Sequence, residues 1–96
     1  MTKISELIPK QGKVAIEASI ISISNVYEFN KSGKIGRVAN AMLQDESGEV
    51  KLTLWNEEID KVKAGNTIRI RNGYVNEWQG QKQLMVGRFG DLEVVK

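Results

Sequence analysis

Residues 45–56 read DESGEVKLTLWN. The first four, Asp45-Glu46-Ser47-Gly48, are a tight-turn signal between extended segments. From Glu49 to Trp55 the residues alternate, with Leu52 and Leu54 on one side and Lys51, Thr53 and Trp55 on the other. Alternate side chains of a strand point to opposite faces of its sheet. The leucines therefore predict a core, and the indole is left on a polar face beside a lysine and a threonine. Asn56 then predicts the N-cap of a short helix over 56–65. Glu57 and Glu58 suit its positive end and Lys61 and Lys63 its negative end. Ile59 and Val62 form one apolar edge, and Gly65 is the stop.

The same alternation extends upstream. Val14, Ile16, Ala18 and Ile20 share a parity, after which Ile21 and Ile23 continue the apolar set on the other. Such a phase change predicts a bulge or bend in a long first strand, which then serves two sheets or both sides of a small barrel. Residues 1–13 read as a short helical turn or loop that stops near Pro9. Phe29 to Gly36 read as a polar loop with two glycines and two lysines, followed by a second strand from Arg37 to Gln44.

Downstream, a fourth strand starts near Thr67, with Ile68 and Ile70 inward and Arg69 and Arg71 outward. Strict alternation puts Tyr74 and Trp78 on the core side. A bulge at Asn72-Gly73 instead turns them to the arginine side and sends Val75 inward. The bulge is preferred, because glycine within a strand often marks one and Val75 is a better core residue than Asn76 or Glu77. Gln79-Gly80-Gln81 turns the chain into a fifth strand, Lys82 to Gly87, and Arg88 to Lys96 read as a docking tail. The predicted class is all-β with a small α component. It is one domain over residues 1–96, a five-stranded barrel of the OB type with its helix between the third and fourth strands.

Composition limits the chemistry. The chain has 96 residues, 41% of them hydrophobic, with no cysteine and no histidine. Zinc sites lose their usual ligands and general acid–base catalysis its commonest group, so an enzyme, a metal and a cofactor are all unexpected. No apolar run approaches the roughly 18–20 residues needed to cross a membrane, and the opening residues lack a secretory pattern. The lack of thiols fits a reducing compartment. Asp45, Glu46 and Glu49 read as solvated turn residues rather than metal ligands. The net charge is only +2, but it is segmented: 31–37 and 69–90 are basic, and 45–60 is acidic.

At this level the sequence resembles the single-domain OB-fold single-stranded-DNA-binding proteins of archaea and the OB domains of archaeal replication protein A. It is also similar to the human single-stranded-DNA-binding subunit of the sensor-of-single-strand-DNA complex. The resemblance rests on GRVANAMLQD (36–45), DESGEVKLTLW (45–55) and KAGNTIRIRNGYVNEWQGQKQLMVGRFGDLEVV (63–95). It implies base stacking on three aromatics, which fall on Trp55, Tyr74 and Trp78. Some relatives carry a further aromatic where this sequence has Met85. Single-domain members continue into a partner-binding tail, which is not carried over to a sequence that ends at Lys96. The resemblance implies a cytoplasmic protein if archaeal and a nuclear one if eukaryotic.

A non-specific single-strand binder needs flat platforms for bases and cations for phosphates. Arg37, Lys51, Arg69, Arg71, Lys82 and Arg88 are the expected phosphate contacts, with Thr53 on the same face as Trp55. Lys31 and Lys34 sit in a loop able to close over the strand. Tyr27 reads as structural and Phe29 as a plug. The expected function is single-stranded DNA binding with low sequence specificity in replication, repair or recombination, with other replication or repair proteins as further partners. Two other readings use the same residues. One is a protein-interaction OB module of a larger replication complex, with the aromatics as a hot spot. The other is an RNA-binding OB domain.

Overall fold

The computed structural model describes residues 2–96, and of residues 87–89 the backbone alone. A 3-10 turn, Ile4–Glu6, leads into β1 (Val14–Ile23), β2 (Tyr27–Lys31), β3 (Lys34–Asp45) and β4 (Gly48–Trp55). Helix α1 (Glu57–Lys61) follows, then β5 (Thr67–Trp78) and β6 (Gln81–Val94). The strands lie in the order β1-β5-β6-β4-β3-β2, and β1 also pairs with β3. The pairings of β1, β5, β6, β4 and β3 thus close a circuit, from which the β2–β3 hairpin projects as an arm.

Two irregularities make the closure possible. On β1 the register with β3 shifts between Ile20 and Ser22, at the predicted phase change. The first half of β1 pairs with β5 and the second half with β3, so one bent strand joins both sides. On β5, Ile70 faces Ile16 and Gly73 faces Val14, so three steps of β5 oppose two of β1. The extra residue is taken up at Arg71-Asn72, and Asn72 adopts a left-handed φ of 56°. Beyond it the parity is reversed: Ile68, Ile70 and Val75 are buried, and Tyr74 and Trp78 are exposed. The core is otherwise the alternating set read from the sequence, with Val14, Ile16, Ile20, Leu52, Leu54 and Leu84 nearly inaccessible.

Three expectations are corrected. The polar loop from Phe29 is a hairpin: Tyr27–Lys31 pairs with β3 from Lys34 to Val38, giving six strands rather than five and placing α1 between β4 and β5. Its Ser32-Gly33 turn has φ of 54° and 79°, the two left-handed residues that match strand twist in a tight hairpin. The tail is strand: β6 runs on to Val94 and pairs again with β5, Leu92 opposite Ile70. The helix is only Glu57–Lys61, and Asn56, at φ 51°, makes no side-chain cap. Asn56 Oδ1 instead accepts the Arg37 backbone N–H, and Glu58 accepts the Trp55 N–H at 2.9 Å.

The Asp45–Gly48 turn is held by one carboxylate. Asp45 accepts the backbone N–H groups of Ile4, Ser47 and Gly48 and the Ser47 hydroxyl at 2.6 Å. Burial pushes the Asp45 pKa up, but these bonds outweigh it and hold the group below its ordinary 3.8. A depressed folded-state pKa gives stability that is present above the unfolded value and lost as pH falls through the folded one. The stability gap between wild type and Asp45→Asn in urea should therefore be full at pH 7 and shrink below about pH 4. A gap that is the same at pH 7 and pH 3 would refute this account of the turn.

Gly73 gives a second test. A Cβ there would lie 3.3 Å from the Met85 carbonyl oxygen and 3.2 Å from Ile70 Cγ2. Overpacking of this kind costs about 1–3 kcal/mol, so Gly73→Ala should lower the thermal midpoint by several degrees. An unchanged midpoint would show that the bulge has slack.

Candidate nucleic-acid interface

The outward parity of β3 and β4 builds one continuous face. Tyr27 of β2 pairs with Val38, and Val38 with Trp55. Asn40 pairs with Thr53, Thr53 with Met85 of β6, and Met85 with Tyr74 of β5. Met42, Lys51, Gln83 and Asn76 form the next row, and Trp78 lies opposite Gln81 at the end of the β5–β6 hairpin. Trp55 is 40% exposed, Tyr74 39% and Trp78 64%. Strand spacing puts Tyr74 about 10 Å across and about 7 Å along from Trp55, and Trp78 about 13 Å beyond Tyr74. The three rings thus lie on one face, spread over it rather than stacked on one another.

The arm continues this face. Tyr27, Phe29 and Lys31 share a side with Lys34, Gly36 and Val38. Phe29 is 38% exposed and Tyr27 66%, so Phe29 is not a buried plug. The Phe29 ring meets the Trp55 ring edge to face, with centroids 5.9 Å apart and planes at 85°. Such pairs contribute about 0.5–1.5 kcal/mol beyond area burial. The sequence carried a signal for this arrangement: alternating Tyr27, Phe29, Lys31 mirrored by Lys34, Gly36, Val38 about a two-residue Ser-Gly turn.

The expected cations separate into groups. Lys34 and Lys51 share the aromatic face, as does Lys31, and Glu49 is the acid that β-pairing places with them. Arg37 is not there. It alternates with Val38 and so points to the opposite side, where both guanidinium nitrogens bind the Asp60 carboxylate at 3.1 and 2.7 Å. Those hydrogen bonds hold Asp60 below its ordinary pKa and raise Arg37. Arg69 is likewise paired with Glu17 at 2.9 Å across β1–β5. Arg71 faces outward on β5 with Asp91 at 3.8 Å. Lys82 lies opposite Glu77, on the reverse of the hairpin from Trp78. The Arg88 side chain lies outside the described residues.

Thr53 also departs from expectation. It has the outward parity, yet it is only 8% exposed, flanked by Asn40 and Met85, with its hydroxyl 3.4 Å from Asn40 Oδ1. A short side chain at the centre of a face carrying larger ones is covered by them. Among the described residues, no three of His, Cys, Asp and Glu gather into a metal-holding group, and no helix is long and apolar enough to cross a membrane.

Comparison with known proteins bears on family and fold. Residues 7–94 match the model of the Ssb-like single-stranded DNA binding protein family, OB fold. The single-stranded DNA binding protein Ssb of Saccharolobus solfataricus is 28% identical over 85 residues, covering 88% of this chain and 57% of that protein. Replication factor A of Methanothermobacter thermautotrophicus is 30% identical over 90 residues, covering 90% of this chain and 11% of that one. The chain thus spans little more than half of the first relative and a small part of the second. The crystal structure of a domain of replication protein A from Methanococcus maripaludis superposes with a TM-score of 0.80 at 31% identity, over 99% of this chain and 94% of that one. A mostly-β OB fold with one short helix, three exposed rings on one face and a family match over nearly the whole sequence place this chain in the Ssb-like OB-fold family of single-stranded DNA binding proteins.

Proposed function

We propose that the closed circuit of strands is an OB barrel, one domain over residues 1–96, whose aromatic face binds single-stranded DNA with low sequence specificity. The observation that carries this reading is the reversal of parity at Asn72-Gly73, which brings Tyr74 and Trp78 onto the same exposed face as Trp55. Bases stack on these three rings, and Met85, beside Tyr74, contributes an apolar contact without a ring. Every base has a π-face, so stacking is tolerant of sequence. Lys31, Lys34 and Lys51 supply cations on the same face, whereas Arg71, beside Asp91, and Lys82, on the reverse of the β5–β6 hairpin, lie off it. Arg37 drops out, because its charge is engaged by Asp60 on the far side, and Thr53 acts as filler beneath the larger side chains. Binding, with no reaction, is the function, and it serves replication, repair or recombination in the cytoplasm or nucleus alongside other proteins of those processes.

Titration with oligo-dT at low salt should quench tryptophan emission, with much weaker responses to duplex DNA and to a matched RNA. Trp55→Ala should weaken oligo-dT binding by roughly 1–3 kcal/mol, the value of one stacked base. Emission that does not change on addition of oligo-dT sinks the reading. RNA binding that exceeds DNA binding would assign the face to RNA.

Three face lysines predict a log–log salt slope of about −2 for single strands, shallower than the roughly −3 expected from four phosphate contacts. Lys34→Gln should reduce its magnitude by about 0.7, whereas Arg37→Gln should leave the slope unchanged. The opposite pattern, with Arg37 carrying the salt dependence, would show that its pair with Asp60 opens on binding.

A further inference from the structure

We infer that Phe29 is a positioning residue for Trp55, seated by a side-chain-sized vacancy at Gly36. Phe29 and Gly36 are directly opposed on β2 and β3. A Cβ at Gly36 would lie 2.6 Å from Phe29 Cε2, 3.0 Å from Cε1 and closer still to Cζ. The tip of the phenyl ring therefore occupies the space that any other residue's side chain would need. From that seat the ring meets Trp55 edge to face at 5.9 Å.

Trp55 is the last residue of β4, so the strand beyond it offers no further neighbour to hold the indole. Its backbone is fixed by Glu58, which accepts its N–H, and by the Val38 pairing. Neither contact sets the side-chain torsions of a ring that is 40% exposed. The Phe29 ring does, by standing perpendicular to the indole plane at 85°. An indole held in one orientation loses less freedom when a base stacks on it, and the saving appears as affinity without any new ligand contact.

The DNA arm of the test rests on the function proposed above, and the other arm does not. Trp55 becomes the sole tryptophan in a Trp78→Phe background, and its anisotropy decay and iodide quenching are read in the free protein. Phe29→Leu, which keeps an apolar side chain without the ring, and Gly36→Ala, which keeps the ring and removes its seat, should each increase indole motion and quencher access. With Trp78 restored, each should weaken oligo-dT binding about 2- to 10-fold with an unchanged salt slope. Phe29→Leu should cost nothing further when added to Trp55→Ala.

Unchanged indole motion in the variants overturns the inference. So does a Phe29→Leu loss that is fully additive with Trp55→Ala, since Phe29 would then contact the DNA on its own account. Should Gly36→Ala fail to fold, Phe29→Leu decides alone. If the wild type binds no oligo-dT, the functional proposal fails while the free-protein arm still decides the role of Phe29.

Discussion

In a sheet, a side chain's face is fixed by counting along the strand, and only an inserted residue can change it. Two insertions set this molecule. One, near Ile21, lets β1 leave β5 and join β3, which closes the circuit. The other, at Asn72, lets one strand send Ile68 and Ile70 inward early and Val75 inward late. Without it, Tyr74 would enter the core in place of Val75, and the exposed face would lose Tyr74 and Trp78. Asn is among the few residues other than glycine that tolerate a left-handed backbone, and Gly73 follows at a point where β6 leaves little room for a side chain. Core and aromatic face thus depend on the same short irregularity.

Electrostatics play a smaller part than the basic segments of the sequence suggest. Arg37 and Arg69 are spent on Asp60 and Glu17, each in a two-contact hydrogen-bonded pair. Asp60 of α1 absorbs one of the expected cations, Arg37. What remains on the face is a few flexible lysines among aromatic and amide side chains. In the proposed binding, affinity on such a surface comes mainly from ring area and from how well the rings are held in place.

The sequence made the inner alternation legible, because leucine, isoleucine and valine at period two have few other interpretations. It also exposed both bulges: one as a change of phase at Ile20-Ile21, the other as a glycine where alternation would bury polar residues. It was weaker where local chemistry pointed elsewhere. Lys31-Ser32-Gly33-Lys34 has the composition of a loop, yet its two central residues are what a tight hairpin turn requires. Asn56 resembles a helix cap, but its side-chain amide oxygen accepts the backbone N–H of Arg37, a partner 19 residues away. The fates of Arg37 and Lys82 follow from strand pairing and were not readable from charge alone. Thr53 had the right parity, but its burial depends on the size of its neighbours across the strands.

The pairing pattern also bears on how the domain assembles. The rings are carried by hairpins with short connections: Phe29 on β2–β3, Trp55 on β3–β4, and Tyr74 and Trp78 on β5–β6. Contacts of that kind are local and form early and fast, since little loop entropy opposes them. Closure is different. It needs Glu17 beside Arg69, 52 residues away, and β4 laid parallel to β6. The hairpins that carry the rings are thus local in sequence, whereas the face they share depends on the non-local closure. The lysines flanking the hairpin turn give the projecting arm a charged tip, a device that discourages edge-to-edge pairing with another chain.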